Sequence, residues 1–112
     1  MKKLLLILLV STSVFTFAQQ TNKEAYIKKE SIGGKLDFSK RIEEKYRNET
    51  SIPFGKEHFS KKDYAILLWA ANVRTLGVES FDIVVKLWEE VNKRNLSETE
   101  KNALKTGFDA KF

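Results

Sequence analysis

The sequence predicts an all-α protein, a small three- to four-helix bundle that follows a cleaved N-terminal signal peptide. Three observations carry this expectation. Apolar residues recur at three- and four-residue spacing through most of the chain after residue 37. Two of the helices marked in this way start at local capping signatures built on Ser60 and Ser97. β-Branched residues are few, and no run alternates apolar and polar positions over five or more residues.

The leader comes first. Lys2 and Lys3 precede the apolar run Leu4 to Val10, which continues through Ser11 to Phe17, and the small Ala18 stands before Gln19 and Gln20. A basic start, a short apolar middle and a small residue before a polar segment suit a translocation channel and then a peptidase cleft, so residues 1–18 are read as a signal peptide cut between Ala18 and Gln19. The segment resembles a bacterial Sec-type signal. A membrane anchor needs about twenty mostly apolar residues, whereas Leu4 to Ala18 is shorter and contains Ser11, Thr12, Ser13 and Thr16. The chain has no cysteine, which excludes the lipid-modified class that requires one directly after the cut. The expectation is an exported protein, periplasmic or extracellular, without a lipid anchor.

Removing 18 of the 112 residues takes away two of the 20 basic side chains, leaving a mature charge of +3 against the 15 acids. Positive charge is interspersed with Glu in both halves, in contrast to the clustered basic face of a nucleic-acid binder, so no nucleic acid is expected as partner. Without cysteine there is no disulfide to staple a small exported domain. Stability must come from packing, which a single domain of this length can supply.

Along the mature chain, residues 19–36 are polar and lysine-rich, with Ala25, Tyr26 and Ile27 as an isolated apolar group, and are read as a flexible arm with room for one helical turn. A single helical domain is expected over residues 37–112. Phe38, Ile42 and Tyr46 recur every four residues and mark a helix from about Ser39 to Glu49, capped by Asp37 or Ser39. Pro53 and Gly55 break it, so Thr50 to His58 is read as a connecting loop. Ser60 as cap, Asp63 at the third helical position and the staple pair Phe59 and Tyr64 open a second helix, which runs through Leu76 to a left-handed cap at Gly77. That helix is apolar nearly all round, the pattern of a central element.

Phe81, Val84, Val85, Trp88 and Val91 give a third, amphipathic helix from about Ser80 to Lys93. Asp82 with Lys86, Glu89 with Lys93 and Glu90 with Arg94 are spaced for ion pairs on its outer face. Ser97 and Glu100 form a capping box for a short fourth helix that buries Ala103 and Leu104, reaches about Thr106 and closes at Gly107; Phe108 and Phe112 are placed to fold back on the bundle.

No catalytic constellation is legible, and a non-enzymatic role is expected. The one histidine, His58, sits in a polar stretch without a nucleophile motif. Zinc or copper would need ligands that a chain with one His and no Cys lacks, so neither metal nor cofactor is expected. Glu43 with Glu44 and Glu89 with Glu90 are adjacent on helices, where side chains diverge by about 100° instead of converging on a substrate. Gly33 and Gly34 lack the Lys-Ser/Thr of a phosphate loop.

The aromatic residues remain. Trp69 lies on the second face of the central helix with Ile66, Val73 and Leu76, a face that the weakly patterned first helix covers only in part. These four residues are the candidate surface for a partner protein or for self-association. The expected function is protein-protein binding, as an inhibitor, an immunity protein or an envelope accessory protein. An alternative places Lys23, Lys28, Lys29 and Lys35 against anionic lipid or polysaccharide, and a carboxylate-based envelope hydrolase is a third class.

Overall fold

Residues 22–110 are described in a computed structural model of the chain. The expected signal peptide, with its expected Ala18–Gln19 junction, and Phe112 lie outside the described residues. Among those described, the chain forms five helices and one two-stranded hairpin: α1 (residues 22–30), α2 (Ser39–Lys45), β1 (Ile52–Phe54), β2 (Glu57–Phe59), α3 (Lys61–Thr75), α4 (Phe81–Asn92) and α5 (Glu98–Asp109). The fold is mostly helical.

The central helix forms as its sequence directs. Ser60 Oγ accepts the Asp63 amide at 3.1 Å, which satisfies one of the donors that a helix start leaves unpaired. At the other end the Gly77 amide reaches the Arg74 carbonyl at 2.9 Å and the Val78 amide reaches the Val73 carbonyl at 3.3 Å, the paired bonds of a Schellman motif. The turn requires Gly77 at φ +111°, where a Cβ would be strained. Between these caps α3 buries Ile66, Leu67, Trp69, Ala70, Ala71 and Val73. Its main partner is α5, with α2 and β2 against its N-terminal half.

α5 opens at a complete capping box, with Ser97 Oγ accepting the Glu100 amide and the Glu100 carboxylate accepting the Ser97 amide at 2.9 Å. The helix does not close at Gly107, as its sequence predicts, but continues to Asp109. Gly107 is instead the crossing point of the two helices. A Cβ there would sit 2.7 Å from the Leu67 carbonyl carbon and 2.9 Å from its Cα, and closer still to its oxygen. Beside it Ala103, Leu104 and Phe108 are buried, and Phe108 is held by an edge-on contact with Phe81 and by the Arg74 guanidinium 4.6 Å above its ring.

Three further expectations are corrected. The Thr50 to His58 segment is not a plain loop: Ile52 pairs with Phe59, and Phe54 with Glu57, across a two-residue turn at Gly55 and Lys56. Gly55 takes φ +62° at the first turn position, as a type II′ hairpin requires. Strands of three residues are too short to show alternation, yet Ile52 and Phe59 are both buried on the inner face. α2 ends at Lys45, short of Glu49, because no apolar residue after Tyr46 holds it down and a helix this short exists only by packing. Tyr46 itself meets Tyr64 edge-on at 5.9 Å, and burial, with Tyr46 adding to it, raises the Tyr64 phenol above its ordinary value.

The third correction concerns residues 22–36. The described part of the expected arm is not a polar tail but α1 and a following turn that pack on the domain. Ile27 is fully buried in the main core with Leu36 beside it. α1 lies antiparallel to α3: the Lys23 ammonium lies against Gly77, while the Trp69 indole N–H donates to Ser31 Oγ at 2.8 Å. Two well-placed aliphatic residues suffice for docking although too few to make a periodic pattern.

Candidate functional site

The sequence placed a binding face on Ile66, Trp69, Val73 and Leu76. The structure covers most of it. Ile66 and Trp69 are buried, Val73 is wholly inaccessible, and only Leu76, at 37% exposure, reaches solvent. Residues 22–36, the same segment whose packing was not legible, contribute to the cover through the Ser31 bond to Trp69 and through Ile27 and Leu36 in the same buried cluster, and this face is therefore corrected from surface to core.

The open feature lies at the edge of that cover. A groove of about 460 Å³ runs between the turn after α1, α2, the first half of α3 and the end of α4. Leu36, Phe38, Ala65, Ile66 and Val91 line it with apolar side chains, the buried Trp69 and Trp88 form its base, and Asn92 also belongs to the lining. Lys61, Lys62, Glu43, Asp37 and Arg94 stand on the rim.

The rim charges are held by the fold. Glu100 is 1% exposed, and its two carboxylate oxygens accept from both terminal nitrogens of Arg94 at 2.8 and 2.6 Å, with Lys62 Nζ at 3.0 Å. The paired geometry of guanidinium on carboxylate is the strongest form of such a bond. Arg94 therefore holds the Glu100 carboxyl far below the ordinary carboxylate range against the opposing effect of burial, with the Ser97 amide and Lys62 adding to it. The same guanidinium lies 4.8 Å over the Trp88 ring, so one buried carboxylate positions a cation on the aromatic base of the groove. Across the groove Lys61 Nζ bonds Glu43 at 3.1 Å and the Arg47 carbonyl at 3.2 Å. Asp37 accepts the Gly33 amide at 2.8 Å and the Ser39 amide at 3.2 Å, and the Gly33 bond leads in lowering its carboxyl below the usual value.

Sequence spacing had paired Arg94 with Glu90. The C-cap Lys93 takes φ 56°, which turns the chain out of α4 and directs Arg94 to Glu100 instead. Glu90 pairs with Lys28 of α1 and, at 3.8 Å, with Lys86, while Glu89 accepts the Leu96 amide at 2.9 Å. None of the three spaced pairs, Asp82 with Lys86, Glu89 with Lys93 or Glu90 with Arg94, closes among the described residues. A position six residues from a capping-box acid, across a helix end, was the available signal for Arg94.

His58 is exposed on β2 opposite Pro53. Of the arm lysines, Lys28 is engaged by Glu90, and Lys29 and Lys35 are exposed. Among the described residues no group of three or more His, Cys, Asp or Glu could hold a metal ion, and no helix is long and apolar enough to cross a membrane. Comparison with protein-family models, with curated proteins and with solved structures finds no match for this chain.

Proposed function

We propose that this is an exported protein that works by binding another protein, as an inhibitor, an immunity protein or an envelope accessory protein, with the groove between residues 31–39 and helices α3 and α4 as its contact surface. The observation that carries this reading is the groove itself, an apolar cleft on a tryptophan base inside a charged rim. Partner side chains anchor in recesses of this kind, where water is excluded by a polar border. Both rim carboxylates already accept bonds from their own chain, Asp37 from two amides and Glu43 from Lys61, and the buried Glu100 beneath the rim accepts from Arg94 and Lys62. Such groups shape and orient a rim and are poorly placed to exchange protons with a substrate.

Ala65 lies part-buried in the groove wall on α3, so Ala65→Arg fills the cleft without entering the core. Binding to a partner crosslinked and recovered from envelope extract is expected to weaken by at least about tenfold, a loss of about 1.4 kcal/mol, with the helical circular dichroism retained. Equal recovery by the variant would remove the groove from the interface. Export is checked separately: the intact mass of protein recovered outside the cytoplasm should begin at Gln19, and recovery only in the cytoplasm with residues 1–18 attached would count against it.

A further inference from the structure

We propose that residues 22–36 are a movable wall of the groove, a strap that opens by local unfolding while α3, α4 and α5 stay folded and that uncovers Ile66, Trp69 and Val73 when it leaves. The proposal deepens the binding reading and rests on it for its purpose, but the opening is measurable with no partner present.

Anchorage is the first argument. Among the described residues Ile27 is the only buried one of α1, and Leu36 is the only other buried one before α2. Among the described residues the other side-chain ties of this segment to the domain are mostly exposed: the Lys28–Glu90 ion pair, with both partners more than a third exposed, the Arg41 bond to the Lys35 carbonyl and the Gly33 amide bond to Asp37, beside the part-buried Trp69 bond to Ser31. Exposed ion pairs hold little and fade with salt. Each ordered residue loses backbone freedom on docking, and fifteen residues are ordered here around two anchors. α5, by contrast, buries Ala103, Leu104, Gly107 and Phe108 along one helix and brings its backbone against that of α3. Segments with few buried contacts open well below the free energy of global unfolding.

Position is the second argument. Ser31 and Leu36 of the strap line the groove, so any movement of the strap changes the width of the groove. Gly33, at φ +72° with open space around its Cβ position, and Gly34 lie between the two anchors. When the strap leaves, the Trp69 indole loses its acceptor and the face formed by Ile66, Trp69 and Val73 becomes continuous with the groove. The strap thereby sets how much apolar surface the protein presents.

Hydrogen exchange on the mature chain tests this. Amides of residues 24–30 are expected to exchange at least about tenfold faster than those of Leu67–Val73, and the Trp69 indole N–H, followed by NMR, should exchange with the strap and not with α3. Ile27→Ala should raise strap exchange further while α3 and α5 keep wild-type protection. Ser31→Ala, which creates no core cavity, should release the indole N–H alone. Strap amides protected to the same degree as α3 in the wild type would overturn the proposal, as would an Ile27→Ala protein in which all helices lose protection together.

Discussion

Gly107→Ala is expected to lower the stability of the protein by about 3 kcal/mol, and with it Tm by more than about 12 °C for a domain of this size. Alanine in a helix interior is ordinarily the better residue, favoured over glycine by about 1 kcal/mol, so intrinsic propensity alone predicts the opposite sign. The close approach of α5 to α3 decides the outcome. A Cβ at 107 meets the carbonyl carbon and Cα of Leu67 below 3.0 Å, and these are backbone atoms that no rotamer change can move aside. Accommodating the methyl means separating α3 and α5, the main partners in the described fold, with loss of packing around Leu104 and Phe108. Urea unfolding of the two proteins measures the difference. A variant as stable as the wild type would mean that the helices do not cross at this glycine.

Glu100→Gln is expected to cost about 2 kcal/mol at neutral pH and to flatten the acid limb of the stability curve. Glutamine keeps an oxygen for the Ser97 amide, so the capping box survives and the change isolates the charge. Breaking a fully buried ion pair costs about 3–5 kcal/mol; here Arg94 and Lys62 are largely solvent-exposed and return to water, which places the effect below that range. The pH dependence follows from the depressed carboxyl of the folded state. In the unfolded chain Glu100 titrates near its ordinary value of about 4.3. Above that value both states are ionised and the full contribution is present; as the pH falls below it the unfolded state takes up a proton that the folded state refuses, and stability is lost progressively toward the folded value. The wild-type curve should therefore fall more steeply below about pH 5 than that of Glu100→Gln. Asp37 and Glu90, both also depressed in the folded state, leave a residual slope in the variant. Urea midpoints across pH 3 to 7, a range chosen to span about two units around the unfolded value, check this. Parallel curves for the two proteins would show that the charge of Glu100 contributes nothing.

Both residues were visible in the sequence with other meanings. Gly107 stands after the last apolar position of its helix, where a glycine signals a cap, and Leu67 lies forty residues away with nothing in the chain to announce the contact. Glu100 was legible as the acid of a capping box because that motif joins groups within three residues. Its second task, holding Arg94 over Trp88, depends on the turn at Lys93. The groove was not legible for the same reason: its walls come from the turn after α1, α2, α3 and α4, and it exists only once these are assembled. In its place the sequence pointed to Ile66, Trp69 and Val73, apolar residues without a visible partner, which join Ile27 and Leu36 in one buried cluster.

What the chain encodes locally are the starts of α3 and α5, the close of α3 at Gly77 and the amphipathic course of α4. Capping bonds and helical periodicity are satisfied within one or two turns, so they can be read without knowing the rest of the molecule. Which surfaces are covered, where glycine is required for space, and which cation meets the buried carboxylate were settled by tertiary packing. Burial and ion pairing depend on what lies across an interface, and here the deciding neighbours are a single isoleucine from a polar helix and a carbonyl group of the central one.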